Sequence, residues 1–172
     1  MAFIAGVAIV ALAVVYYVVI APAVVNKDRV LAALAGGLRG AMGLSLAYGD
    51  ASFKVWPRPG VVMKEAVVKN EAGKEVARAD EMRVGLSYGG FLALRPTPAV
   101  ISLTRPRMDI ATGDVTFRGG DGVSPYRGKI KVKEGFLRYA AEGRTLFLDG
   151  LAGDLRCRAD WGRELELRGK VS

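Results

Sequence analysis

Residues 2–20 form one unbroken apolar run: apart from glycine and the pair Tyr16-Tyr17, every side chain is aliphatic or phenyl. About 20 such residues at a rise of 1.5 Å match a hydrocarbon slab of roughly 30 Å, which predicts a membrane-spanning helix over residues 2–22. Ala21-Pro22-Ala23 offers a small-x-small cleavage pattern. The run is nevertheless longer than the apolar core of about 7–15 residues in a signal peptide, which favours a retained anchor. Tyr16 and Tyr17 fall near its carboxyl end, where amphipathic rings suit the bilayer interface.

Beyond it the period changes to about four. Asn26 is a good N-cap residue, Val30, Leu34, Leu38 and Met42 recur every fourth position beside Leu31, and Lys27, Arg29 and Arg39 lie off that stripe. The pattern predicts a short amphipathic helix over residues 26–43. Gly36, Gly37 and Gly40 each lower helix propensity by about 1 kcal/mol relative to Ala. Such a helix needs a surface to pack on, either the end of a sheet or the membrane.

From Leu44 the period becomes two, and residues 44–172 read as one β module. Leu44, Leu46 and Tyr48 alternate with small or polar residues, Gly49-Asp50 marks a turn, and Phe53 and Val55 resume before Trp56-Pro57-Arg58-Pro59-Gly60. Strands are predicted over 61–69, 76–86, 99–104, 107–111, 129–132, 136–139, 145–148, 151–159 and 164–171. The turns between them use Gly73, Gly89-Gly90, Arg105-Pro106, Gly119 to Gly122, Glu134-Gly135 and Glu142-Gly143. Hairpin-linked antiparallel strands are the simplest arrangement of these signals.

Lys129-Ile130-Lys131-Val132-Lys133 and Glu164-Leu165-Glu166-Leu167-Arg168 alternate cleanly, so one face of the sheet is apolar and the other solvated. The positions expected to build the apolar face are Val84 and Leu86, Ile101 and Leu103, Met108 and Ile110, Ile130 and Val132, Leu137, and Leu146 and Leu148. Once 26–43 is assigned, no long amphipathic helix remains to cover it. Either the strands close into a sandwich or barrel, or the sheet stays curved and partly open with an apolar surface available to a ligand.

Composition narrows the chemistry. The net charge of +8 belongs entirely to the residues after the apolar run. A basic body beside a bilayer is attracted to anionic headgroups, whereas charges dispersed over alternating segments on an anchored chain argue against a nucleic-acid partner. There is no histidine and a single cysteine, Cys157, so an internal disulfide and ordinary zinc sites are excluded. Gly85-Leu86-Ser87-Tyr88-Gly89 has the spacing of a nucleophile elbow, but Ser87 lacks a histidine base. Residues 118–122 lack the Gly-Lys-Ser/Thr ending of a phosphate loop and read as a hairpin connection. Glu65, Asp80 and Glu81 read as a solvated face. No enzyme activity, metal or cofactor is expected.

The order of parts resembles the amino-terminal region of AsmA-like proteins. The likeness rests on an uncharged anchor, a short helix opening Asn26-Lys-Asp-Arg-Val-Leu31, Trp56-Pro-Arg-Pro-Gly60, and Val61-Val-Met-Lys-Glu-Ala-Val-Val-Lys-Asn70. It continues through Ala77 to Ser87, Phe91 to Leu94, Ile101-Ser-Leu-Thr-Arg-Pro-Arg-Met-Asp-Ile110, Lys131 to Tyr139 and Leu148-Asp-Gly-Leu151. The resemblance implies an anchor in the bacterial inner membrane, a body in the periplasm, and a curved antiparallel sheet with an apolar groove for phospholipid. It also implies a part in lipid transport toward the outer membrane. By contrast, Lys27, Arg29 and Arg39 follow the anchor and no cation precedes it, a distribution that favours a cytoplasmic body. A second likeness, to the sheet-rich N subunit of type II secretion systems, implies an assembly role, with a further β module or an envelope protein on the open sheet edge.

Overall fold

The computed structural model describes residues 13–16, 19, 21–95, 97–114, 126–141, 144–160 and 164–171. The expected 2–22 anchor lies largely outside them, and among the described residues no helix is long and apolar enough to cross a membrane. Three helices are described: α1 (Ala21–Val24), α2 (Lys27–Met42) and α3 (Tyr88–Leu92). Asn26 caps α2, its side-chain oxygen accepting from the Arg29 N–H at 3.0 Å. The other end closes on Gly43 at φ 63°, where Leu44 N–H donates to the Leu38 carbonyl and Gly43 N–H to Arg39. That left-handed closing turn is cheapest for glycine.

Among the described residues nine strands build one sheet: β1 (Ser45–Ala47), β2 (Asp50–Lys54), β3 (Gly60–Lys69), β4 (Glu75–Leu86), β5 (Pro98–Thr104), β6 (Arg107–Ala111), β7 (Tyr126–Ala141), β8 (Arg144–Asp160) and β9 (Glu164–Val171). Their order is β1-β3-β4-β5-β7-β8-β9, with β2 also on β3 and β6 between β4 and β7. Neither β1 nor β9 closes onto the other among the described residues, so the sheet is open and the closed barrel is not supported.

The sheet is mixed, which corrects the expected antiparallel arrangement. Both β5 and β6 run parallel to β7. β6 and β7 are therefore not the two arms of a hairpin, and the hairpin connection expected at residues 118–122 lies outside the described residues. Parallel neighbours require a crossover connection of a dozen or more residues.

Two other expected turns are not reversals. β7 and β8 each run straight through Glu134-Gly135 and Asp149-Gly150, and β5 and β6 lie end to end across Arg105-Pro106 with the same register against β7 on either side. Each strand carries an irregularity at this level: Glu65 has φ 52°, Arg105 47°, Glu134 53° and Gly150 67°. The β3–β4 ladder likewise pairs Lys64 with Glu81 and then Ala66 with Ala79, skipping Glu65 and Asp80. A transverse crease thus crosses β3, β4, the junction of β5 and β6, β7 and β8, with one extra residue spent there in each. Because neighbouring strands slip together, the register survives and the apolar face continues beyond the crease: Ala66 joins the same buried cluster as Val61 and Met63. Bulged positions of this kind bend a strand and increase its twist.

The core lies under the first half of the sheet. Val61, Met63, Val84 and Leu86 pack with Ala21, Val25, Val30, Leu31 and Phe91. Phe53 stacks on Phe91 with ring centroids 6.3 Å apart. The amphipathic helix is therefore a lid on β1, β2 and β3, and α3 supplies a second cover that the sequence pattern did not reveal.

Candidate apolar binding face

Residues paired across strands point to the same side of a sheet, so the register fixes which side chains share a face. Val84 pairs with Ile101 and Met82 with Leu103. Ile101 continues to Ile130 and Leu103 to Val132. Beyond the crease Met108 pairs with Leu137 and Ile110 with Tyr139, and these continue to Leu148 and Leu146. All the expected apolar-face residues except Leu86 thus lie on these ladders, and Leu86 belongs to the same buried cluster as Val84.

Their surroundings divide them. Val84 and Leu86 are fully buried beneath the helical cover, which removes them from any ligand surface and corrects the expectation that the whole face is bare. Ile101 and Leu103 are half-buried and pack against that core. Met108, Ile110, Ile130, Val132 and Leu137 are half-buried among one another. Leu148 and Leu146 are 39% and 52% exposed. Tyr139, exposed and lying between Ile110 and Leu146 in register, belongs to this strip although the sequence pattern did not single it out. The signal was present in the alternation from Leu137 to Tyr139.

The two faces contrast. The opposite side of the same strands carries Lys129, Lys131 and Lys133 on β7 and Arg83 on β4, with ion pairs Lys131–Asp154 at 3.2 Å and Arg138–Asp109 at 3.3 Å. Two depressions in the surface take in residues of that side, and the second also reaches Met108 of the apolar strip. One of about 480 Å³ is lined by Lys54, Trp56, Arg58, Arg83 and Lys131. Another of about 520 Å³ is lined by Arg105, Arg107, Glu134 and Phe136.

Ser87 has a different place from the one a nucleophile needs. A strand, the serine and a helix do follow one another, but Ser87 is the N-cap of α3, with extended backbone at φ −69° and ψ 140°. Its hydroxyl accepts from Gly90 N–H at 3.0 Å. Glu65, Asp80 and Glu81 lie at the crease, where Asp80 pairs with Arg105 at 2.8 Å and Glu81 with Arg83 at 3.8 Å. Among the described residues no group of acidic or cysteine side chains is placed to hold a metal. Cys157 pairs in register with Gly128 and Leu167, within strands β7, β8 and β9.

No protein family, curated protein or solved structure matches the chain.

Proposed function

We propose that the chain is a membrane-anchored, AsmA-like module that handles phospholipid in an apolar β-groove. On this reading residues 2–22 cross the bacterial inner membrane, the body lies in the periplasm, and the module serves lipid transport toward, or homeostasis of, the outer membrane. The single observation that carries the proposal is the register-continuous apolar strip on β5 to β8, outside the helical cover. Burial of acyl surface is nondirectional and stabilises by about 25 cal/mol per Å², so a chain can slide along such a strip without specific bonds. From Ile130 to Tyr139 the strip extends for roughly 30 Å at the usual rise per residue. One leaflet's share of a 30 Å hydrocarbon core is about half that. The crease supports a curved groove by bending each strand it crosses at one level.

Photocrosslinking tests this directly. A photoreactive residue at Ile130 or Leu148 is expected to give phospholipid adducts in membranes, and one at Arg138 or Thr104 on the other face is expected to give few. Equal adduct yields from the two faces, or none from Ile130 and Leu148, would overturn the proposal.

The β9 edge favours a second reading. β9 pairs with β8 alone among the described residues, which leaves a backbone edge that another strand can extend. A further β module, or an envelope protein as in an assembly subunit, is the partner this edge suits. Charged pull-down from membranes with a crosslinker at Leu165 separates it from the lipid reading: a single protein adduct supports assembly.

A further inference from the structure

Trp56 is 80% exposed, in the loop that joins β2 to β3. Tyr88 and Leu92 on α3 are also exposed and lie at the same end of the sheet. The Tyr88 hydroxyl donates to the Pro57 carbonyl, and the Arg58 guanidinium lies 5.5 Å from the centre of the Tyr88 ring. Gly85 makes room for Arg58: a Cβ there would lie 2.8 Å from the arginine Cδ. Behind this apolar rim lies the 480 Å³ depression with Lys54, Arg58, Arg83, Lys129 and Lys131 in its walls and no carboxylate among its lining residues. Lys54 and Arg58 have no ion-pair partner among the described residues. The apolar amino-terminal run arrives at this same end, where the Tyr16 hydroxyl donates to the Leu92 carbonyl at 2.5 Å.

We infer that this end of the sheet docks flat on an anionic bilayer, with Trp56 and Leu92 at the headgroup level and the depression around Arg58 and Arg83 receiving a lipid phosphoryl group. The inference deepens the anchored reading above and rests on it. An indole is amphipathic and gathers at membrane interfaces, where its ring is shielded and its N–H stays wet. Lysines and arginines beside it are drawn to anionic headgroups over about 10 Å at 0.1 M salt. A soluble surface gains nothing from a tryptophan left bare among cations, whereas a surface held against a bilayer by the preceding apolar segment gains from both. Docking would also orient the apolar strip relative to the membrane from which it takes lipid.

The test uses the full chain with Trp161→Phe, which leaves Trp56 as the only tryptophan. It is reconstituted into vesicles of phosphatidylcholine alone or with one third phosphatidylglycerol, with and without lipid brominated near the glycerol. Docking predicts at least twofold quenching of Trp56 emission in the anionic brominated vesicles. It predicts little quenching in the neutral ones, with loss of the effect in 1 M NaCl and in Lys54→Glu/Arg83→Glu. Vesicle flotation of the same samples reports the anchor independently. Protein that floats with Trp56 unquenched overturns the docking and leaves the anchor standing, and protein that does not float overturns both. Reversal of quenching by millimolar inorganic phosphate at constant ionic strength would instead make the depression a site for a free anion, and overturns the proposal. Crosslinking at Ile130 reads the groove separately, so loss of lipid adducts with Trp56 still quenched refutes the lipid-handling function and keeps the docking.

Discussion

From β1 to β4 the apolar face of the sheet is sealed: Val61, Val84 and Leu86 lie fully buried with Val25 and Phe91 above them. From β5 to β8 the same ladders carry on through half-buried Ile101, Ile130 and Val132 to exposed Leu146 and Leu148. The strands are alike in chemistry, so the difference comes from what lies over them. α1, α2 and α3 cover the first half, and no described helix lies on the second. One half is a core that holds the fold, and the other is a surface offered to something else. In globular proteins contiguous exposed apolar surface of this kind commonly marks a site of interaction.

The sharpest way to break this comparison is to remove equivalent apolar bulk from each half. Phe91→Ala deletes a ring that is 0% exposed and stacked on Phe53, and is expected to cost about 3–5 kcal/mol. Leu146→Ala removes a side chain that is more than half exposed, and is expected to stay within about 0.5 kcal/mol. Urea unfolding of the full chain in detergent measures both. A loss at Leu146 comparable to that at Phe91 would mean that the second half is covered in the folded protein, and the binding-face argument would fail.

Much of this division was legible in the sequence, for physical reasons that can be stated. Asn26 and the four-residue stripe from Val30 to Met42 encode a helix and its apolar side, because capping and periodicity are local. Lys129 to Lys133 encode a one-sided strand for the same reason. What the sequence concealed is nonlocal. Tyr88-Gly-Gly-Phe-Leu92 is too short and glycine-rich to announce a helix, yet it places Phe91 on the core. Arg105-Pro106 and Glu134-Gly135 look like hairpin turns because a turn and a bulge use the same residues; only pairing with the neighbouring strand tells them apart. The parallel joint of β7 with β5 and β6 left no local trace, and neither did the helical cover that buries Val84 and Leu86.

A second prediction concerns how the two halves remain one surface. The crease preserves the face only if Glu134 keeps its left-handed backbone at φ 53°. Valine is β-branched and adopts that conformation poorly, so Glu134→Val is expected to destabilise by about 1–2 kcal/mol. Glu134→Gly, which adopts it freely, should be close to neutral. The same pair of substitutions at Lys133, inside the regular ladder, should reverse in order, since valine favours a strand and glycine weakens it. Thermal unfolding checks the four variants together. If valine is tolerated at Glu134 as well as at Lys133, the aligned slip is not a feature of the folded chain and the strip does not extend across it.

The smallest effect separates the halves by what holds them. The covered half rests on apolar burial, which is insensitive to pH, whereas the far end of β6 is tied by charge. Asp114 accepts from Lys74 Nζ at 2.6 Å and from Ala111 N–H at 2.7 Å, joining the β3–β4 turn to the end of β6. The hydrogen bond from Lys74 and then that from Ala111 stabilise the carboxylate and hold its pKa below the ordinary aspartate value of 3.8. A carboxyl group whose pKa is lower folded than unfolded adds stability above its unfolded pKa, and that contribution fades as pH falls through the folded one. The latch is therefore at full strength at neutral pH and loosens only in acid below the usual aspartate range. The Ala111 amide resonance should accordingly titrate with a midpoint under 3.8. In Asp114→Asn it should not move over that range, while amides of Val61 and Val84 stay fixed in both proteins. An Ala111 midpoint at or above the ordinary value would show that the carboxylate is not held by Lys74, and an equal movement at Val84 would show that acid opens the sealed half together with the bare one.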